Sequence, residues 1–235
     1  MIMNTKNILG MAAGLMLWVG LASVQASETN FTFAVNQAIP DANVNGLILS
    51  ANLTGLAAND STISDVTLSL DITGGYNGDL YAYLAGPNGG FAVLLNRVGV
   101  SNGASAFGYS GAGLNVTFSD SAANGDVHFY QNVITPVGQL TGTWQPDGRN
   151  IDPMSSPSAF LSAGQTDMLS SFQGSDANGT WTLFLADLSS GGQSAVANWG
   201  LDITTVPEPS FWTFAGLSLV LFAGCRKLRR QKAIH

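Results

Sequence analysis

The sequence is poor in the residues on which disulfides and many catalytic sites depend. Of its 235 residues, one is cysteine, Cys225, and two are histidine, His128 and His235. Because residues 27–205 contain no cysteine, that stretch forms no internal disulfide and must be stabilised by core burial or a bound ion. The single histidine of this stretch argues against a protease, since a Ser-His-Asp triad needs all three groups at hydrogen-bonding distance.

Positive charge is also scarce. Between residues 27 and 205, fourteen acidic residues stand against two basic ones, Arg97 and Arg149, for a formal net charge of −12. Nucleic acid is therefore excluded as a partner class, because phosphate binding requires clustered Lys and Arg. Cations, basic surfaces and neutral glycans stay open as ligands, and so does a simpler role for the acidic side chains, the solubility of a secreted β protein.

What the chain does contain is alternation and turn residues, with 28 glycines and no long helical periodicity. The clearest stretch is 63–90, where Val66, Leu68, Leu70 and Ile72 alternate with polar residues before a Gly-rich turn. Similar alternation predicts nine strands, at 31–36, 47–53, 63–73, 79–85, 91–96, 114–118, 127–133, 180–186 and 196–204. Trp181 and Trp199 head two of the apolar faces and are predicted to share one core. Short strands with frequent turns indicate an all-β sandwich or jelly roll.

Several motifs in this stretch resemble, in their order and spacing, the P domain (P/Homo B domain) that follows the catalytic domain of subtilisin-like proprotein convertases. They are the segments 63–66, 76–80, 179–183 with Asp187, and 198–201. The resemblance implies a galactose-binding-like jelly roll over residues 27–205. It departs from the pattern at Gly74 or Gly75, where many P domains carry a histidine, so no role of that histidine is expected here. The segment 139–174, rich in Pro and Gly, is predicted to be a long surface excursion leading to the 180–186 strand.

Candidate ligands come from the turns. Asp71 and Asp79 flank one Gly-rich turn and Asp187 ends a predicted strand, and carboxylates are the oxygen ligands that calcium takes. Some P domains hold calcium, so these three are the predicted metal ligands; the alternative is that they cap turns. The tyrosines Tyr76, Tyr81, Tyr83 and Tyr109 are candidates for stacking on sugars, although tyrosine is also an ordinary strand residue.

Catalysis is not predicted. Ser110 lies in a Gly-Tyr-Ser-Gly-Ala segment that resembles a nucleophile elbow, but the segment lacks the final glycine and a strand-to-helix setting. About 36 residues separate the predicted signal from Ile63, so no catalytic domain of the convertase kind is expected before the sandwich. No catalytic residue is assigned.

The two ends carry export signals. Residues 1–26 have a basic Lys6, an apolar stretch and small residues near Ala26, which is typical of a cleaved signal peptide. Residues 206–235 resemble the PEP-CTERM sorting signal of bacteria, which is processed by an exosortase. The processing motif is Val206, Pro207, Glu208, Pro209 and Ser210. A 15-residue apolar segment follows, predicted to be a short membrane helix, and then a basic anchor of Arg226, Lys227, Arg229 and Arg230 that stays on the cytoplasmic side.

Together these features predict an exported, non-catalytic module. It would be tethered briefly to the inner membrane of a Gram-negative bacterium and then released to the cell surface or matrix. Its expected ligand is exopolysaccharide or protein. The alternative is an accessory domain that stabilises or targets a separately encoded secreted protease or hydrolase.

Overall fold

The computed structural model describes residues 25–56, 61–101 and 105–207. The predicted signal peptide up to Val24 and the predicted tail from Glu208 onward, including the apolar segment and the basic anchor, lie outside these residues. Among the described residues, no helix combines the length and the apolar character needed to cross a bilayer.

The described residues form nine strands and only short helices. The strands are Ser27–Ala38 (β1), Leu47–Leu53 (β2), Ser61–Gly74 (β3), Leu80–Ala85 (β4), Phe91–Asn96 (β5), Gly113–Phe118 (β6), Leu140–Trp144 (β7), Gly179–Asp187 (β8) and Ser194–Pro207 (β9). One α-helix, α1, spans Pro157–Ser162, and 3-10 turns span Asn77–Asp79, Pro87–Gly89, Val127–Asn132 and Leu169–Phe172.

The strands make two sheets that enclose one core, which confirms the predicted all-β sandwich. The five-stranded sheet has the order β1-β9-β3-β6-β7, and the four-stranded sheet has the order β2-β8-β4-β5. All pairs are antiparallel except β6 with β7. Trp181 and Trp199 are 0% and 2% exposed and belong to the same buried cluster, as predicted.

The alternation in the sequence explains β3 and β4 directly. In β3 the side chains of Val66, Leu68, Leu70 and Ile72 are all buried, because a strand turns every second side chain to the same face. In β4 the pattern buries the two leucines and Ala82 and leaves the two tyrosines half-buried on the outer face. The hydrophobic face therefore sets the register of both strands.

The predicted strand at 127–133 is wrong. Val127–Asn132 forms a 3-10 helix in which Val127, His128 and Tyr130 are buried, so burial does not alternate. The Asp126 side chain accepts a hydrogen bond from the His128 backbone N–H at 2.8 Å and caps this helix. Val127 and Tyr130 belong to the hydrophobic core cluster although the segment is not a strand.

The predicted surface excursion at 139–174 is also wrong in part. Leu140–Trp144 pairs in parallel with β6 and adds an edge strand to the five-stranded sheet. Trp144, Phe160 and Phe172 from this segment are at most 1% exposed. The prolines and glycines break the regular secondary structure of the segment. The aromatic side chains that lie between them are nevertheless buried in the core.

The last strand runs further than the sequence predicts. β9 continues to Pro207, which lies opposite Ser61 of β3, so the first two residues of the predicted processing motif belong to the sheet. On the other side of β9, the pairing with β1 ends at Thr205 opposite Ser27. A proline is tolerated there because, among the described residues, β1 does not extend far enough to accept an amide hydrogen bond from position 207.

Candidate functional site

Four connections meet at one end of the sandwich. The register places Ala38 opposite Ala195 and Gly74 opposite Ser194, and Leu80 opposite Asp187. The β1–β2, β3–β4 and β8–β9 connections therefore begin at the same end of the molecule, and backbone hydrogen bonds bring the β5–β6 connection to them, from Gly78 N to Tyr109 O at 2.8 Å. Convergent loops on a rigid scaffold are where binding sites commonly form.

A cleft of two lobes opens between these connections. The first lobe has a volume of about 420 Å³ and is lined mainly by Tyr76, Asp79, Phe107, Tyr109, Ser110 and Ser189. The second lobe has a volume of about 350 Å³ and is lined mainly by Ser101, Ser105, Tyr109, Phe129, Gln131 and Asn132. Gly108, Tyr109 and Ser110 line both lobes, so they form the wall between them. Each volume is within the range of small-ligand pockets, roughly 300–1,000 Å³.

This shared wall is held by close backbone packing. Gly108 has φ +77°, and a Cβ there would lie 2.6 Å from the Gly78 Cα atom. A Cβ on Gly78 would in turn lie 2.5 Å from the Phe107 carbonyl oxygen. Glycine is required at both positions, because any larger residue would separate the two loops. The lobes are consequently formed before any ligand binds.

Contacts with Tyr130 and Gly113 hold Tyr109, which lies in the shared wall, and Asn77, which lies next to it in the structure. The Tyr109 ring makes an edge contact with Tyr130, with centroids 4.6 Å apart. Asn77 is fully buried, and its side chain accepts from Gly113 N at 2.9 Å and donates to Gly113 O at 3.1 Å. Burial raises the pKa of Tyr109 above its ordinary value and the neighbouring Tyr130 adds to the rise, so the phenol stays neutral at physiological pH.

Of the three predicted metal ligands, the structure brings two together. Asp79 is 7% exposed and Asp187 is 1% exposed, and Asp79 directly precedes Leu80, the residue that pairs with Asp187 at this end of the sandwich. Burial raises the pKa of Asp79, and this effect outweighs the hydrogen bond from Ser189, which lowers it. Burial also raises the pKa of Asp187, and the charges of Asp79 and Asp41 add to the rise. Hydrogen bonds from Ser189 and Ser194 lower the pKa of Asp187 but do not cancel this rise. Two carboxylates close together in a buried site favour protonation of one of them.

The third predicted ligand, Asp71, lies in the other sheet. Its carboxylate accepts hydrogen bonds from Gln139 at 2.9 Å and from Asn198 at 3.4 Å. The turn that follows it in sequence carries the chain from β3 to β4 and thus from one sheet to the other. Asp71 and Asp79 are therefore close in the sequence but do not belong to the same cluster of side chains. Asp41, which sequence reasoning did not select, contributes its charge to the pair instead.

The fit of a calcium ion to this group is partial. Asp187 Oδ1 is buried without a hydrogen-bond partner, and an unpaired buried carboxylate oxygen is costly unless a cation or proton satisfies it. Within the described ranges, however, no three His, Cys, Asp or Glu side chains are arranged to hold a metal ion. An ion at this position would be held by Asp79 and Asp187 and would need backbone oxygens or water in addition.

His128 belongs to a buried ionic network behind the second lobe. Its Nδ1 lies 2.6 Å from Asp147 Oδ2, and its Nε2 lies 3.0 Å from the Val100 carbonyl oxygen. Arg149 donates to Asp147 Oδ1 at 3.2 Å and to Asp126 Oδ2 at 2.7 Å. Burial acts to lower the pKa of Arg149, but the hydrogen bond from its guanidinium to Asp126 and the charge of Asp147 outweigh burial and raise it.

The network is linked to the lining of the second lobe. The Arg149 guanidinium lies 5.1 Å from the centre of the Phe129 ring, and Gly99 N donates to the His128 carbonyl oxygen at 2.8 Å. With both ring nitrogens engaged and no exposed surface, His128 is not placed to act as a base for Ser110. Its pairing with Asp147 serves to hold this side of the cleft.

The predicted sugar-stacking tyrosines divide into two groups. Tyr76 and Tyr109 line the cleft. Tyr81 and Tyr83 lie on the outer face of the four-stranded sheet, where Tyr83 stacks on Phe184 at 4.9 Å. Sequence reasoning missed Phe107, which is 80% exposed at the mouth of the first lobe. The sequence does contain a sign of this residue: Phe107 and Tyr109 flank Gly108 in a segment that lacks the alternation of a strand.

Among known proteins, similarity to this chain is found in solved structures. No protein-family model matches the chain, and no curated protein matches it. Two solved structures that match are the serine protease of Aeromonas sobria, at 15% identity and a TM-score of 0.42, and the complex of that protease with the chaperone ORF2, at 14% identity and a TM-score of 0.43. Each match covers 77% of this chain and 27% of the other chain. At this level the similarity assigns neither activity nor partner.

Proposed function

We propose that this protein is an exported, non-catalytic module that binds a neutral glycan in the two-lobed cleft. The observation that carries the proposal is the combination of aromatic rings with hydroxyl and carboxylate groups in the first lobe. Tyr76 is 46% exposed and Phe107 is 80% exposed, and Asp79, Ser110 and Ser189 line the same lobe. The aromatic rings offer apolar faces to the C–H surface of a sugar ring, while the polar groups accept and donate to its hydroxyls.

The charge of the cleft favours a neutral sugar over an acidic one. Neither lobe is lined by Lys or Arg, and the one acidic side chain in the first lobe, Asp79, supplies no positive charge. An anionic polysaccharide would therefore find no cationic partner among the lining residues of either lobe. A catalytic role is not proposed, because His128 is buried and both of its ring nitrogens are engaged by other groups.

The proposal is tested by affinity electrophoresis of the full chain through gels that contain neutral polysaccharides such as xylan, mannan or β-glucan. Retardation is expected in at least one gel, and Phe107→Ala is expected to reduce it, because this exposed side chain contributes to binding and little to stability. Ile48→Ala is the matched control, since Ile48 is 65% exposed and lies on β2, away from the cleft lining. Unretarded migration in every gel would refute glycan binding.

A second candidate function is that of an accessory domain for a secreted hydrolase, and a different surface favours it. Ile48, Phe184, Tyr83 and Phe91 place one apolar side chain on each strand of the four-stranded sheet. Tyr83 lies 4.9 Å from Phe184 and 5.0 Å from Phe91, ring centre to ring centre. Apolar side chains that are contiguous and partly exposed are typical of a protein interface.

The two candidates predict different outcomes for the same pair of variants. The chain is purified from the culture fluid, and proteins recovered with it are identified by mass spectrometry. The accessory role is favoured if a hydrolase is recovered with the parent and with Phe107→Ala but not with Ile48→Asp. Loss of polysaccharide retardation in Phe107→Ala alone would favour the glycan role.

We further propose that calcium, when present, is held by Asp79 and Asp187, with Asp41 adding negative charge at the exposed side. The ion would satisfy the buried Asp187 Oδ1 and draw together the β3–β4 and β8–β9 connections. A ligand that binds only the folded state stabilises it by mass action. Calcium is therefore expected to raise the melting temperature of the parent and not that of Asp187→Asn, whereas Asp71→Asn should respond like the parent. Equal melting temperatures of the parent in calcium and in chelator would refute the proposal.

Export and sorting follow from the sequence of the two ends. We propose that an exosortase-type enzyme of the inner membrane cuts the chain at or near Val206–Ser210 and releases the sandwich to the cell surface. Because β9 extends to Pro207, the enzyme would reach the motif from Glu208 onward. The intact mass of protein from the cell surface tests this: it should lack the residues after about Ser210. Replacing Pro207, Glu208 and Pro209 by Ala should leave a full-length membrane-bound form, and a surface protein that still carries the basic anchor would contradict the proposal.

A further inference from the structure

The two lobes of the cleft lie side by side and share one wall. Both lobes are lined by Gly108, Tyr109 and Ser110, and neither is closed, so a bound molecule in one lobe can continue into the other. The wall is rigid, since Tyr109 N donates to Val98 O at 3.0 Å and Asn77 N donates to Gly111 O at 3.0 Å on either side of it. Any ligand longer than one lobe must therefore cross over Tyr109.

The second lobe has the chemistry of a second sugar subsite. Gln131 and Asn132 are exposed amides, which both donate and accept hydrogen bonds, and Ser101 adds a hydroxyl. Phe129 supplies an aromatic surface in this lobe, as Tyr76 and Phe107 do in the first. Neither lobe presents a cation, so both suit the same kind of uncharged, hydroxyl-rich unit.

We propose that the two lobes bind consecutive units of one linear neutral glycan, so that the cleft accepts an internal segment of a chain and does not require a chain end. The inference rests on the proposed glycan function. It specifies that the ligand is a polymer and not a free monosaccharide. Tyr109 lies under the glycosidic linkage. Its ring is held by Tyr130 from below, so this central contact needs little ordering when the ligand binds.

Occupation of both lobes by one molecule has a measurable consequence. Once the first unit is bound, the second unit binds as an intramolecular step, so the affinity for a chain exceeds that for its monomer by about tenfold or more. Removing a contact in the second lobe should reduce the affinity for chains and leave the affinity for the monomer unchanged.

The experiment is isothermal titration of the full chain with xylose, mannose and glucose and with their linear oligomers of two to six units. For the series that binds, we expect the affinity to rise by about tenfold or more from monomer to short oligomer. Gln131→Ala should lower the affinity for the longest oligomer by about fivefold or more, while its affinity for the monomer stays within about twofold of the parent. Phe107→Ala should weaken the binding of monomer and oligomer alike.

The outcomes separate this inference from the proposed function. Binding of an oligomer no tighter than its monomer, or an unchanged oligomer affinity in Gln131→Ala, would overturn the two-subsite arrangement and leave glycan binding in place. No binding in any of the three series would refute the glycan function, and the two-subsite arrangement with it. Circular dichroism of Gln131→Ala, whose side chain is exposed, checks that the variant is folded.

Discussion

Truncation of Asp147 tests the buried ionic network most directly. Asp147 is fully buried, and its carboxylate accepts from His128 Nδ1, Asn96 N and Arg149 Nη1 at 2.6, 3.2 and 3.2 Å. In Asp147→Ala, His128 Nδ1 and Asn96 N remain buried without this acceptor, and Arg149 loses its ion pair with Asp147. Breaking a buried ion pair by removing one partner costs about 3–5 kcal/mol of unfolding free energy.

Urea denaturation followed by tryptophan fluorescence measures this loss. With a denaturant dependence of about 2 kcal/mol per molar urea for a domain of this size, the midpoint should fall by about 1.5–2.5 M. Asp152→Ala serves as the control, because Asp152 is an exposed aspartate, and its midpoint should shift by no more than about 0.3 M.

A double-mutant cycle with His128→Ala isolates the pair. If the 2.6 Å contact between His128 and Asp147 carries part of the loss, the effects of the two truncations should fail to add by about 1–2 kcal/mol. A midpoint for Asp147→Ala equal to that of Asp152→Ala would refute the reasoning. Strictly additive losses in the double variant would show that Asp147 acts through Arg149 and not through His128.

Three further predictions concern the core, the carboxylate pair and the absence of catalysis. Trp181→Ala should lower the unfolding free energy by about 3–5 kcal/mol, because the side chain is fully buried and its indole N–H donates to Ala177 O at 3.0 Å; an unchanged urea midpoint would contradict this. The folded-state pKa of Asp187 is raised above its ordinary value by burial, so the folded chain keeps a proton that the unfolded chain has already lost. Measured without calcium, the unfolding free energy should therefore fall as pH rises from about 4 through this raised pKa. The unfolding free energy of Asp187→Asn should fall less over the same pH range. Parallel curves of unfolding free energy against pH for the parent and the variant would contradict this prediction. The full chain should not hydrolyse casein, and hydrolysis that disappears in Ser110→Ala would show that the cleft is catalytic.

Much of the sandwich is determined by local sequence pattern. The strands at Leu47–Leu53 and Phe91–Asn96 begin and end at the predicted residues, and a glycine directly precedes each of them. The burial of Trp181 and Trp199 follows in the same way, since each heads a two-residue period that places it on the apolar face. These properties depend on neighbours a few residues away, which the sequence displays directly.

The site was decided by tertiary structure, because its parts are far apart in the chain. Phe107 enters the cleft through a loop contact with Gly78, and Asp41 joins Asp79 and Asp187 only after the sheets have formed. Asp71 and Asp79 flank one turn, yet that turn crosses between sheets and separates them. The segment 127–133 has the composition of a strand and becomes a 3-10 helix, which the Asp126 side chain caps and which Asp147 and Val100 hold through His128. Composition and alternation determine which residues become buried in strands, whereas the pairing of distant segments determines which polar groups face one another.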